Sequence, residues 1–111
     1  MAYDEKLAER IRDLIEPGPQ VVEKKMFGGL AFLVDGNMAV SAIRDGGLLV
    51  RVDPAEAEDL IDGESVSTMT MGGREMRGWL RVTPTALHDE SALRAWIARG
   101  VTYARSLPPK R

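Results

Sequence analysis

The sequence predicts an α+β domain with an antiparallel sheet of about five strands flanked by helices, in the order α-βββ-α-ββ-α. Amphipathic segments with the period of about 3.6 residues expected of a helix lie near both ends of the chain. Short apolar segments lie between them, and their glycine-containing connections are too short to hold a crossover helix. Such connections favour antiparallel pairing of consecutive strands. At 111 residues the chain is expected to form one domain, 1–111.

The first element is predicted to be a helix from about residue 3 to residue 16. Its apolar residues fall on one stripe and charged residues fall opposite. The stripe consists of Tyr3, Leu7, Ile11, Leu14 and Ile15. Pro17-Gly18-Pro19 ends the pattern, since proline cannot continue a helix.

Three extended segments follow, at 22–34, 38–43 and 48–52. Gly28 and Gly29 interrupt the first segment and indicate a bulge or a close backbone approach. Asp35-Gly36-Asn37 is a strong hairpin signal, because these residue types tolerate positive φ.

The second half begins with a predicted short helix, capped by Asp53 with Pro54 in its first turn and ending near Asp62-Gly63. Two more β segments, 66–71 and 75–82, are joined by a glycine doublet. Asp89 is expected to cap the last helix, which Pro108-Pro109 ends.

Composition excludes several classes of function. The net charge is −2, so no basic field covers the whole surface for gripping nucleic acid. There is no cysteine, which removes disulfides, thiolate nucleophiles and cysteine-based zinc sites. The sequence shows neither a signal peptide nor an apolar stretch approaching the ~20 residues of a membrane span. We therefore expect a cytoplasmic protein with no membrane contact.

No motif indicates a reaction, so we expect no catalytic residues, no cofactor and no metal site. The one histidine, His88, has no serine or cysteine partner in a recognisable local pattern. The carboxylates cluster on helix faces, where solvent does not separate their pKa values as acid–base catalysis requires. The glycine doublets lack the spacing of phosphate-binding loops and are interpreted as turns or bulges.

The segment 76–82 carries the first surface signal. Strand alternation places Arg77, Trp79 and Arg81 on one face, a composition typical of protein interfaces and usable for stacking nucleobases. Two other interpretations remain open: a surface tryptophan shielded by arginine stems through cation–π contact, and a tryptophan buried under a helix.

The second signal is basic. Lys24 and Lys25, with Arg51 on another strand, are candidates for a local positive patch, to which Arg77 and Arg81 are added as a candidate nucleic-acid site. Lysines on a strand are equally a routine device against edge-to-edge aggregation.

The order of these segments carries a family resemblance. The motifs are Lys-Lys-Met-Phe-Gly-Gly-Leu-Ala-Phe at 24–32, Gly-Asn-Met-Ala at 36–39, Leu-Val-Arg-Val at 49–52, Met-Arg-Gly-Trp at 76–79 and Ala-Arg-Ser-Leu-Pro-Pro-Lys at 104–110. Together they resemble the TfoX N-terminal domain family, related to the TfoX/Sxy regulators of natural competence.

The resemblance implies an antiparallel sheet flanked by helices, similar to secretion chaperones. It also implies a role near transcription of competence genes, in concert with a larger DNA-binding activator, and it brings no enzymatic residues. The regulators carry a second, C-terminal helical domain. The resemblance covers only their N-terminal part, so we expect a stand-alone domain.

Three functional hypotheses follow. The first is a non-enzymatic module that binds a protein partner or a second copy of itself, and that is an accessory to transcriptional regulation. Its candidate site consists of Phe27, Gly28, Gly29, Arg77, Trp79 and Arg81. The second is direct nucleic-acid binding through Lys24, Lys25, Arg51, Arg77 and Arg81, with a steep salt dependence. The third is a small-molecule binder or enzyme in a cleft between sheet and C-terminal helix.

Overall fold

The computed structural model describes residues 4–15, 21–26, 28–44 and 46–109. Within these ranges three α-helices accompany a six-stranded sheet, which confirms the α+β class. The elements are α1 (Glu5–Leu14), β1 (Val21–Met26), β2 (Gly29–Val34), β3 (Asn37–Ala42), β4 (Leu48–Arg51), α2 (Pro54–Leu60), β5 (Val66–Met71), β6 (Arg74–Val82), a 3₁₀ helix (Pro84–Leu87) and α3 (Glu90–Ser106).

All strand pairs in the sheet are antiparallel, in the spatial order β1-β2-β3-β4-β6-β5. The first four strands form a meander. The chain then passes through α2 and returns as the β5–β6 hairpin, with β6 beside β4. As a result β1 and β5 are the two edge strands.

The structure has six strands where about five were expected, because segment 22–34 is a hairpin and not one interrupted strand. Met26 pairs with Gly29, so the chain reverses between them. The predicted close approach occurs at Gly29: a Cβ there would lie 2.4 Å from the Ala42 carbonyl oxygen on β3. A side chain at this position would collide with backbone, which explains the glycine.

One face of the sheet carries the main core. α3 packs across β2, β3 and β4, α1 packs against α3, and α2 lies over β6. The largest fully buried side chains of this core come from both layers: Ile11, Phe32, Val34, Val40, Leu48, Val50, Leu80, Val82, Leu87 and Leu93. All three helices therefore share one side of the sheet.

The helix boundaries follow local chemistry. The Asp53 side chain accepts a hydrogen bond from the Ala55 N–H, and Asp89 accepts one from the Ser91 N–H, as the capping prediction requires. Asp4, which was not predicted as a cap, does the same for α1. The predicted ends of the first helix at Tyr3 and Glu16, and the stop at 17–19, lie outside the described residues.

Candidate functional site

The second face of the sheet, here called the open face, carries a separate apolar cluster. Ala31, Met38 and Leu49 are buried at its centre. Around them pack partly buried side chains from four strands and the β3–β4 connection: Met26, Leu33, Ile43, Met69 and Trp79. No helix residue belongs to this cluster in the described part of the chain. Three of its members are methionines, whose flexible side chains adapt to irregular surfaces.

Trp79 is held by a cation from the neighbouring strand. The Arg51 guanidinium carbon lies 5.0 Å from the centroid of the Trp79 ring and 5.5 Å from that of Tyr103 on α3. Arg51 is also the register partner of Trp79 across the β4–β6 pair. The alternative interpretation of a tryptophan in cation–π contact thus holds, with Arg51 as the cation. This pairing was missed because the sequence does not give the register of β4 on β6.

The strand alternation on which Arg77, Trp79 and Arg81 were predicted to share a face is interrupted between Arg77 and Trp79. The register of the β5–β6 pair shifts between Thr68 and Met69, which pair with Leu80 and Met76. Gly78 within this irregularity has φ +84°, a left-handed conformation that glycine adopts without strain. Strand alternation is therefore broken between Arg77 and Trp79, whereas Arg81 keeps its place on the open face.

The five predicted cations do not form one patch. Lys24 and Arg81 share a row across the open face, through Ala31, Ser41 and Leu49. Four strand spacings separate them, which is about 19 Å.

The remaining basic residues are divided between the two sides of the sheet. Lys25 pairs with Leu30, a residue of the main core, and therefore projects to the helix side. Arg51 is engaged with Trp79 and Tyr103. The side chains of Lys24, Lys25 and Arg77 are exposed.

Close packing explains why two residues of the predicted partner-binding site, Gly28 and Gly29, are glycines. Gly28 has φ +76°, and a Cβ there would lie 2.9 Å from an Arg44 guanidinium nitrogen. Gly29 is fixed by the Ala42 carbonyl described above. Phe27 lies outside the described residues.

Two grooves flank α3 on the helix side. One, of about 400 Å³, lies between α2 and α3, with Val52, Glu56, Leu60, Arg99 and Tyr103 among its lining residues. The other, of about 470 Å³, lies between α1 and α3. Arg99 lies 4.7 Å from the ring of the buried Trp96. Of the two grooves, the one between α2 and α3 corresponds more closely to the predicted small-molecule cleft between the sheet and the C-terminal helix.

His88 is exposed in the turn between the 3₁₀ helix and α3. Among the described residues no group of three or more histidine, aspartate or glutamate side chains is arranged to hold a metal ion. A hydrogen-bonded ion pair with Arg12 lowers the pKa of Glu23, and backbone N–H donors from Val66 and Glu64 lower the pKa of Asp62. Both shifts belong to structural contacts on the surface.

No helix in the described ranges is both long and apolar enough to cross a membrane.

Comparison with known proteins identifies the class. The family model of the TfoX N-terminal domain matches residues 13–104, which is most of the chain. This chain belongs to the TfoX N-terminal domain family, as its motifs indicated, and is thus a domain related to competence regulators. Searches of curated proteins and of solved structures found no match. The similarity to secretion chaperones therefore stays a prediction.

Proposed function

We propose that this chain is a non-enzymatic protein-binding module, an accessory to transcriptional regulation of the competence type, which docks a protein partner on the open face. The observation that carries the proposal is the apolar cluster on the side of the sheet away from the helices, with Trp79 and Arg51 stacked at its margin. Membership of the TfoX N-terminal domain family supports the proposed role in transcriptional regulation.

The chemistry of the open face suits a protein partner. Tryptophan, arginine and methionine are enriched in the centres of protein interfaces. Trp79 offers a large rigid surface, and the Arg51 guanidinium covers one ring face in the free protein. Met26, Met38 and Met69 supply contacts that adjust to the partner.

Nucleic acid is the weaker alternative. The net charge is −2, and Lys24 and Arg81 are about 19 Å apart across an apolar centre. With Lys25 on the helix side, few of these cations can neutralise the phosphates of one strand together. Any binding of nucleic acid through so few cations would release few counterions, so its affinity should depend only weakly on salt.

The chain offers a matched pair of variants for testing the docking site. Arg51→Ala removes the cation from Trp79 on the open face, and Arg99→Ala removes the cation from Trp96 on α3. The two guanidinium–ring distances are similar, at 5.0 and 4.7 Å. A difference between the variants therefore reports the location of the contact and not the loss of a cation–π pair as such.

Tagged protein, its Trp79→Ala variant and the two arginine variants should be used to capture partners from a native lysate treated with nuclease. The partner is then purified and its direct binding is titrated. We expect Trp79→Ala to weaken binding by at least about tenfold, as for an interface hot spot. Arg51→Ala should also weaken binding, and Arg99→Ala should leave it unchanged. Equal binding by wild type and Trp79→Ala contradicts the site, and capture only from lysates with intact nucleic acid favours the alternative.

A further inference from the structure

The two edges of the sheet differ in charge. The β1 edge carries Glu23, Lys24 and Lys25, and Glu23 accepts hydrogen bonds from Arg12 of α1. Charged residues on an edge prevent pairing with another chain. The β5 edge, Val-Ser-Thr-Met-Thr-Met at 66–71, carries no charged residue and no proline. By this criterion the protein protects the β1 edge and leaves the β5 edge suited to strand addition.

The start of the β5 edge is covered by the chain itself. The Val66 carbonyl accepts hydrogen bonds from the N–H groups of Asp62 and Gly63, both at 3.2 Å. The Val66 N–H donates to the Asp62 carboxylate at 2.8 Å, and Glu64 and Ser65 donate to the same oxygen. The backbone groups of Val66 therefore point away from β6 and are satisfied by the Asp62 loop.

Backbone direction alternates along an antiparallel strand, so Thr68 and Thr70 also direct their N–H and C=O groups away from β6. The other end of β5 gives the same alternation. Met71 pairs with Arg74 across a two-residue turn, and the backbone N–H and C=O groups of a residue at this position face the partner strand, β6. Within the described part of the chain no hydrogen bond to the outer backbone groups of Thr68 or Thr70 is present.

We propose that β5 is a self-association edge, on which the β5 strand of a second copy pairs in antiparallel fashion about a two-fold axis at Met69. Each Thr68 would then face the Thr70 of the other copy and exchange about four hydrogen bonds in total. Thr–Thr pairs stabilise a sheet, and no like charges meet anywhere from 67 to 71. The second copy is favoured as the occupant because the segment is complementary to itself.

The Asp62 loop limits this interface to about five residues of each strand, since Val66 has no free backbone group to offer. An interface of this size predicts a weak dimer, with a dissociation constant in the micromolar to millimolar range. Pairing would join two six-stranded sheets and bring the Met69 side chains of both open faces together. The inference does not depend on the proposed partner docking.

The test compares proline on the two edges. Thr70→Pro removes an outward N–H without removing a hydrogen bond to β6, and edge strands accept proline. Lys25→Pro is the matched control, because Met26 pairs with Gly29 beside the β1–β2 turn and Lys25 thus directs its N–H outward from β1.

Sedimentation velocity from about 10 μM to about 1 mM should show concentration-dependent dimerisation of the wild type and of Lys25→Pro. Thr70→Pro should weaken it by about tenfold or more, because two intermolecular hydrogen bonds are lost. A monomeric wild type at all concentrations, unchanged association in Thr70→Pro, or equal loss in both variants overturns the proposal.

A second pair of variants decides the question if Thr70→Pro fails to fold. Met69→Lys and Met69→Glu each place two like charges opposite one another at the two-fold axis, so each alone should be monomeric. An equimolar mixture should associate, because opposite charges then meet. Absence of association in the mixture, with both variants folded by circular dichroism, contradicts pairing at Met69.

Discussion

Replacement of Gly100 by alanine tests how closely α3 approaches the sheet. The register of β2 and β3 shifts so that Phe32 pairs with Val40 and Leu33 with Met38, which leaves Ala39 as the extra residue of a bulge. Ala39 is fully buried under α3. A Cβ at Gly100 would lie 2.4 Å from the Ala39 carbonyl oxygen and 2.9 Å from its carbonyl carbon.

Two effects of opposite sign decide the outcome. In a helix interior alanine is favoured over glycine by about 1 kcal/mol. Ordinary contact begins at 3.4 Å, so the added methyl group requires α3 or the Ala39 bulge to move by about 1 Å. Overpacking of this kind costs typically about 1–3 kcal/mol, and here the obstructing atoms are backbone rather than the end of a flexible side chain. Backbone obstruction places the cost in the upper part of this range, about 2–3 kcal/mol, and subtracting the gain of about 1 kcal/mol leaves a net loss. We therefore expect Gly100→Ala to lower the free energy of unfolding by about 1–2 kcal/mol.

Urea unfolding followed by circular dichroism measures this change. Ala95→Gly, at an exposed position of the same helix, calibrates the intrinsic glycine–alanine difference and should cost about 1 kcal/mol. A Gly100→Ala variant as stable as the wild type, or more stable, would show that helix propensity dominates. The close approach would then not constrain this position.

The other predictions concern the core, one ion pair and one tether. Phe32→Ala, at a side chain only 1% exposed, should lower the free energy of unfolding by about 3–5 kcal/mol in the same urea assay. Glu23→Gln should cost up to about 1 kcal/mol at pH 7, because the exposed ion pair with Arg12 is lost. The pKa of Glu23 is lowered in the folded state, so its stabilising effect is present above its ordinary pKa of 4.5 and is lost as the pH falls through the lower folded value. Wild type and variant should therefore converge in stability as the pH falls below 4.5, and a constant difference would contradict the assignment. Asn37→Ala removes the side-chain N–H donated to the Pro108 carbonyl at 3.0 Å, so limited proteolysis after α3 should accelerate, and an unchanged rate would contradict the tether.

Structural features that are determined by residues close together in the sequence, such as helix caps and tight turns, were predictable. Asp53 and Asp89 cap their helices as expected, because an N-cap needs only a side chain and an N–H two or three residues away. The turn after Val34 is likewise local, since Asp35 and Gly36 both have positive φ. Segment 22–34 was harder, because a hairpin and an interrupted strand contain the same apolar residues. Only the pairing of its two halves, with Met26 opposite Gly29, distinguishes them.

The open face was predictable only in part, for a physical reason. Trp79 and Arg81 share a face because alternation is local. Alternation does not extend from Trp79 to Arg77, because the register shifts in the pairing with β5, a strand that is not local in sequence to this contact. Arg51 reaches Trp79 because β4 lies beside β6 in the sheet, although α2 and β5 separate them in the chain. The residues of a single segment do not reveal which strand it will lie beside when a helix and another strand separate the two in the chain.

Arg51 also connects the two surfaces that the functional hypotheses treat separately. Its guanidinium group lies between Trp79 on the open face and Tyr103, which lines the groove between α2 and α3. Under the proposed function a partner contacts Trp79 while Arg51 stays stacked on the ring, so a ligand that drew the guanidinium toward Tyr103 would weaken docking on the open face. Because one cation contacts two rings, a ligand in the groove and a partner on the open face would be energetically coupled through this side chain if both bind as proposed. The size of that coupling is bounded by the cation–π contact itself, about 0.5–1 kcal/mol at a partly exposed site.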